Sequence, residues 1–415
     1  MATTTRRSLP PLERIIRPTG TAGAARLHEL ARMLERVGMS CELETPGGEV
    51  ISAGSGTPAF RAIFKDEEAL RTPFTEFSLG RAYVDGHIDV EGDFLAMLDM
   101  RDAVGFGAAL GQKLRFAYDL FLQAPTKVND RAIHEHYTLG DDFYLTFIDK
   151  RYRFYSHCLF HSEDEALEDA AEHKLESMWN ALRLEPGMRL LDIGGGWGGV
   201  TEYCGARGVH VTSLTLVEDS ANYIRRLIQE KDLPGEVVVG DVLNFRAREP
   251  FDHAVMYGVI EHVPNYRRYT QRVWDALKPG GRVYMDASAV KEKFAISPFT
   301  RHYTWPGQHS FLAVQDLAEE LIFNGFELVE VKRETRDYEL TIAEWARRLD
   351  AAHDYIASGW GEEVWRAFRV FLWGGKHAFQ TNRLQAYHVV GERRHDPGPR
   401  PGAVRRFGHY VASLR

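Results

Sequence analysis

The run MRLLDIGGGWGGVTEYCGARG, from Met188 to Gly208, restricts the fold of this chain more than any other feature. It reads as a short apolar strand ending at Ile193, a turn built on Gly194, Gly195, Gly196, Gly198 and Gly199, and a helix. Glycine admits positive φ and lets the backbone come close to a ligand, while the following helix offers unpaired N–H groups and a partial positive charge. A dinucleotide pyrophosphate or an amino-acid carboxylate suits such a turn. Gly198 and Gly199 could instead serve only to pack helix on strand, but that reading explains one run and not the series that follows it.

VHVTSLTL, from Val209 to Leu216, predicts a second strand ending near Thr215, and VVVGDVLNF a third ending in Gly240 and Asp241. FDHAVMYGVIEHV, from Phe251 to Val263, predicts a fourth, and LKPGGRVYMDAS, from Leu277 to Ser288, supplies a turn and a fifth. An NAD site wants an acid at the end of the second strand for the ribose hydroxyls; here stands Thr215, with Glu218 and Asp219 only further on. Asp192, immediately before the glycines, can hold the cationic amino end of S-adenosylmethionine, and Asp241 with Val242 sits where adenine's amino group would be received. The ordered set of five therefore predicts an α/β fold of the class I, Rossmann-like methyltransferase type.

The length of 415 residues suits two domains, and no apolar run approaches the roughly 20 residues of a membrane helix. The N-terminal stretch lacks the apolar core of a secretory signal, so an intracellular location is expected. Cys41, Cys158 and Cys204 have no metal-cage or disulfide spacing, and no metal is expected. A net charge of −8 spread over both signs argues against nucleic acid as a partner. Both ends are nevertheless basic, with Arg6, Arg7, Arg14 and Arg17 at one and Arg393, Arg394, Arg400, Arg405 and Arg406 at the other. Such ends suit an anionic membrane surface or serve as solubilising tails, two readings that stay open.

The expected organisation is a basic flexible segment over 1–20, a small α+β domain over 21–125, the catalytic domain over 126–392 and a Pro/Gly/Arg-rich flexible tail over 393–415. ARLHELARMLERVG predicts an amphipathic helix with Leu27, Leu30, Leu34 and Val37 on its apolar face, and AFRAIFKD a strand. Leu79 to Asp93 reads as a turn-rich hinge.

Several segments together resemble the cyclopropane-fatty-acyl-phospholipid synthase family, including the mycolic acid cyclopropane synthases. They are HYTLGDDFYLTFIDKRYRFYSHCLF, AAEHKLESM, LLDIGGGWGG, GVIEHV, LKPGGR and RDYELTIAEWARR. Leu79 to Asp93 also resembles the N-terminal lipid-binding module of longer members. The resemblance implies that Tyr137, Gly140, Tyr155 and Ser156 cover the cofactor, that Thr215 lies by its ribose or methionine end, and that Trp197 belongs to its glycine loop. It also implies an acyl pocket in the stretch after the fifth strand, where Tyr303, Trp305, Tyr338 and Trp345 offer aromatic faces to a carbocation. Each of these aromatics taken singly reads equally as core packing.

In that family a bound bicarbonate takes the final proton. Glu261 and Tyr338 match the family's glutamate and tyrosine, but His157 stands where the family has cysteine and Asp286 where it has histidine. A carboxylate at Asp286 would repel bicarbonate, and could itself take the proton or orient His157 as base, so bicarbonate stays in the reading only as a doubtful second cofactor. A rebuilt base site favours loss of a methyl proton after a hydride shift. The expected reaction is therefore methylation of the cis double bond of a phospholipid acyl chain to a methylene-branched chain, with a cyclopropane as the alternative.

The resemblance further implies work at the inner face of the cell membrane, a homo-oligomer, and a reductase acting on the methylene product. A small-molecule methyltransferase and a non-catalytic lipid-binding protein are the competing readings. HYTLGDDFY, GVIEHV and DYELT together count against the first, and Glu261 with Tyr338 against the second.

Overall fold

A computed structural model describes residues 23–102, 139–263, 265–293, 295–305, 309–400 and 402–413. The chain divides into two compact units. One holds residues 1–122, 296–306 and 346–377; the other holds 123–295, 307–345 and 378–415. Segments 296–306 and 346–377 thus leave the stretch read as catalytic and join the N-terminal unit.

In the first unit the helix Gly23–Arg36 buries Leu27, Leu30 and Leu34 completely, the spacing that puts one apolar stripe on a helix. Val37 lies past the helix end and is 40% exposed, so it does not continue the stripe as expected. The stripe belongs to a core with strands β1 (Cys41–Glu44), β2 (Val50–Ala53), β3 (Phe60–Phe64) and β4 (Ile88–Gly92). These form one sheet in the order β2-β1-β3-β4, with β1 and β3 parallel and the other pairs antiparallel. Alternation along β3 turns Phe60, Ala62 and Phe64 inward. Where turns were expected after Leu79, the chain forms most of a helix, Glu76–Val84, capped by the Thr75 hydroxyl on the Ser78 amide at 3.2 Å, and then β4. The late segment returns to this unit through an ion pair from Arg366 to Asp89 at 2.6 Å.

The second unit carries a seven-stranded sheet in the order β10-β11-β9-β8-β5-β6-β7. Its strands are β5 (Arg189–Ile193), β6 (His210–Thr215), β7 (Gly235–Val239), β8 (Phe251–Tyr257), β9 (Leu277–Ala289), β10 (Phe326–Arg333) and β11 (Gln385–Arg393). β5 to β9 pair in parallel, and β11 runs antiparallel between β9 and β10. The order reverses at β5, flanked by β6 and β8, and the crevice beyond the carboxyl ends of strands at such a switch point is where open α/β sheets bind ligands.

Two further expectations change here. The fourth strand stops at Tyr257: Gly258 takes φ +61° and Ile260–His262 is a short 3₁₀ helix. The segment read as a flexible tail begins with the end of β11 and contains a helix, Ala403–Ser413. No helix of the described residues is long and apolar enough to cross a membrane.

Candidate active site

A cavity of about 320 Å³ opens at the switch point, walled by the turns that follow β5, β6, β7 and β8. Gly194, Gly196, Trp197, Thr215, Asp241, Val242 and Gly140 line it. The floor needs glycine: Gly194 has φ +89°, and a Cβ there would lie 2.3 Å from Val259 Cγ2. Asp241 caps the Leu243 amide through one carboxylate oxygen at 2.8 Å, leaving acceptor capacity for a ligand's N–H. Bare backbone, an acid and apolar walls in one cleft fit S-adenosylmethionine.

Other residues read as cofactor contacts have different work. Among the described residues, Asp192, Gly195, Gly198, Tyr155 and Ser156 are not part of the cavity wall. Asp192 is buried, accepts from the Ser213 hydroxyl on neighbouring β6 at 3.1 Å, and is pushed up to about 7 by burial against that hydrogen bond. Its hydrogen bond ties β5 to β6 immediately behind the glycine turn. A Cβ on Gly195 would meet Ile224 at 2.9 Å, and one on Gly198 would meet Leu227 at 2.7 Å, so these two admit the helix Glu218–Lys231. The packing explanation of the glycines holds for this pair. Tyr137 lies outside the described residues.

A line of rings leads from the cavity wall to a second, polar centre. Trp197 lies 5.8 Å from Tyr144, Tyr144 5.2 Å from Tyr155, and Tyr155 stacks on Trp345 at 5.3 Å. Trp345 meets Tyr338 edge-on at 6.5 Å, and Tyr338 lies stacked between His157 at 4.9 Å and Phe379 at 4.5 Å. Trp345 and Tyr338 therefore stand together in one aromatic cluster. Tyr303 and Trp305 belong to the other unit, where Tyr303 packs on Phe299 at 4.7 Å.

The polar centre is almost dry. His157 is 1% exposed, and its Nε2 lies 2.7 Å from Glu334, whose other oxygen meets His388 Nδ1. Burial opposes ionisation of Glu334, but the bonds to His157 and His388 outweigh it and hold its pKa well below the usual carboxylate range. An ionised carboxylate only accepts, so His157 meets it with a proton on Nε2. Nδ1 is buried without a hydrogen bond, 3.9 Å from Asp286.

Asp286 is already committed. Lys174 Nζ lies 2.7 Å away and the Gly258 amide donates to it at 2.9 Å. Lys174 also donates to Ser156 Oγ at 2.6 Å and to the His157 carbonyl at 2.7 Å, which uses all three of its protons. The orienting partner of His157 is therefore Glu334, not Asp286. Glu261 completes the centre: its Oε1 accepts from the Ser288 amide at 3.0 Å and hydroxyl at 2.8 Å, while Oε2 is buried without a partner. Burial, offset in part by the Ser288 bonds and reinforced by Asp286, lifts its pKa to about 7.

Lys174, Glu334 and His388 were not singled out from the sequence. Lys174 carried a signal, because Ala170, Ala171, Lys174, Leu175 and Met178 fall on the buried face of one helix, Leu167–Leu182, where a cation needs a buried partner. Glu334 carried none, being 177 positions from His157.

Sheet order, glycine floor and cavity define a class I S-adenosylmethionine-dependent methyltransferase, and S-adenosylmethionine is its cofactor. Comparison with known proteins narrows this: residues 125–389 match the model of the family described as mycolic acid cyclopropane synthetase, and the chain belongs to that family. The chain is 28% identical to a probable fatty acid methyltransferase of Mycobacterium tuberculosis, over 63% of this chain and 62% of that protein. It is 29% identical to the cyclopropane-fatty-acyl-phospholipid synthase of Escherichia coli K12, over 64% and 69% respectively. A sphingolipid C9-methyltransferase of Candida albicans is 25% identical over 80% of this chain and 69% of that one. Among solved structures, the mycolic acid cyclopropane synthase CmaA1 with SAH and CTAB superposes with TM-score 0.59 at 24% identity, covering 63% of this chain and 98% of that one.

Proposed function

We propose that the chain transfers a methyl group to the cis double bond of an unsaturated acyl chain carried by a phospholipid, and that its product is the methylene-branched chain. The observation that carries the reading is His157: a buried imidazole whose Nδ1 makes no hydrogen bond, fixed by Glu334 and stacked on Tyr338. A base held in this way is built to take a proton from a greasy intermediate.

S-adenosylmethionine, when bound along Gly194, Gly196, Thr215 and Asp241, supplies an electrophilic methyl group. An isolated alkene is a weak nucleophile, so the protein's share is alignment and exclusion of water. The faces of Tyr338 and Trp345 steady the positive charge left on the acyl chain. Glu261, poised near neutrality, can ionise as that charge develops and oppose it with its free oxygen. His157 Nδ1 then removes a proton from the added methyl group after a hydride shift, which leaves an exocyclic methylene.

The Lys174–Asp286 pair weighs against bicarbonate as the base here. Lys174, the buried cation paired with Asp286, has every proton engaged, and the Asp286 carboxylate would repel an anion placed beside it. No step is routed through bicarbonate.

The substrate would be met at the inner face of the bilayer by a homo-oligomer, with a reductase consuming the methylene product. Expression in a host rich in oleoyl chains, with lipid mass spectrometry and proton NMR with and without added bicarbonate, tests the reading. Vinylidene signals independent of bicarbonate are expected. Cyclopropane ring protons without a vinylidene signal would overturn the product assignment.

A further inference from the structure

The expectation that the chain takes no metal rested on cysteine spacing, which says nothing of histidines grouped with a carboxylate. Among the described residues, one group of three histidine and acid side chains brings its ligand atoms within 4.8 Å of one another: His161, Glu165 and His173. All three belong to the second unit, and none is part of the cofactor cavity wall. His161 and Glu165 lie on the loop that follows His157, and His173 lies on the helix Leu167–Leu182.

Backbone hydrogen bonds hold the supports of this group in place. The Leu159 amide donates to the Ala170 carbonyl at 3.1 Å, which joins loop to helix, and the Glu165 amide donates to the Ser162 carbonyl at 3.3 Å, which closes the turn between them. Glu165 Oε2 accepts from the His161 amide at 2.8 Å. A ligating carboxylate is commonly fixed in this way through one oxygen while the other faces the ion.

That other oxygen, Oε1, lies 3.2 Å from His173 Nδ1, yet the two make no hydrogen bond and Nδ1 is buried without a partner. Two donor atoms at this separation match neighbouring ligands around an ion that sits about 2.0 to 2.2 Å from each. The His161 ring stacks on His173, with 3.6 Å between centroids and 17° between planes, so a second imidazole stands beside the pair.

We propose that His161, Glu165 and His173 bind one divalent transition ion of the zinc class, which ties the loop after His157 to the helix that carries Lys174. Two imidazole nitrogens and a carboxylate oxygen are donors such an ion favours, whereas magnesium and calcium take shells of oxygen. His161 is exposed, so its ring turns towards the ion by an ordinary change of side-chain rotamer while the other two ligands keep their places. Water completes the shell at the open position.

The consequence is mechanical. His173 immediately precedes Lys174, whose ammonium lies 2.7 Å from Asp286 and donates to the His157 carbonyl at 2.7 Å. An ion held by His173 on the helix and by His161 on the loop braces both elements of the polar centre. It takes no part in methyl transfer, so the inference stands apart from the substrate and product proposed above.

The test takes the full chain, stripped of metal with EDTA and dialysed, and titrates it calorimetrically with zinc chloride and, as control, magnesium chloride. Zinc should bind and magnesium should not compete with it. Zinc at about 100 times its dissociation constant should raise the melting temperature by roughly 5 to 11 °C, because an ion that binds only the folded chain stabilises it. The chain has 17 histidines, so variants must locate the site. His161→Ala, at an exposed position that does not endanger folding, and Glu165→Gln, which keeps an acceptor for the His161 amide, should each weaken zinc binding by at least roughly tenfold. Absence of zinc binding, unchanged affinity in both variants, or a melting temperature that zinc does not move would each overturn the site. Magnesium bound as tightly as zinc would overturn the class of ion.

Discussion

Lys174→Met isolates the electrostatics that hold the polar centre together. Methionine keeps most of the stem's volume but removes the ammonium that sits 2.7 Å from Asp286 and 4.0 Å from the centre of the Tyr257 ring. Asp286, 2% exposed, keeps only the Gly258 amide on its carboxylate. Removing one partner of a buried ion pair costs about 3 to 5 kcal/mol, because an uncompensated charge remains. For a domain of the size of the second unit, each kcal/mol shifts the melting temperature by roughly 2 to 4 °C, so a fall on the order of 6 to 20 °C is expected by scanning calorimetry. Adding Asp286→Asn should recover at least half of the loss, since the stranded charge is then gone. A Lys174→Met chain melting within about 2 °C of the unaltered one would refute the reasoning, as would a double variant no more stable than the single.

Three further outcomes follow from the same geometry. Gly194→Ala places a Cβ 2.3 Å from Val259 at φ +89°, and should weaken S-adenosylhomocysteine binding at least tenfold, or about 1.4 kcal/mol, in a calorimetric titration. Glu261 has its pKa raised from 4.5 to about 7, so the folded chain keeps a proton that the unfolded chain loses. Stability from this group is complete below about 4.5 and declines as pH rises towards 7, by about 3 kcal/mol in all. Glu261→Gln should lack that decline, so its stability relative to the unaltered chain should rise between pH 5 and 7.5 in denaturant titrations; a constant difference would count against it. Tyr338→Leu should keep nucleoside binding but lower kcat, with loss of the stacked face on His157.

The glycine turn and the parallel strands were legible because they are local: each strand is a short apolar run, and Gly194 declares its positive φ by being glycine. The end of the fourth strand was not, because Val259 and Ile260 have strand-like side chains while Gly258 turns the backbone away. β10 and β11 escaped for a different reason. β10 is exposed along most of its length and pairs only with β11, so it shows little apolar pattern. In the candidate site, His157, Tyr338 and Asp286 stood out through resemblance, but their partners Glu334 and His388 are set by packing between segments far apart in the chain. Asp192 is the opposite case, a residue whose motif suggested a ligand and whose burial gives it to Ser213.

The most direct measurement gives the purified chain S-adenosylmethionine labelled in its methyl group together with oleoyl phospholipid vesicles, then follows the label after saponification. The account predicts label in the released fatty acid, at a vinylidene carbon, and its absence when His157 is glutamine. Label confined to the headgroup or to a water-soluble acceptor, from a chain that binds the cofactor normally, would contradict it.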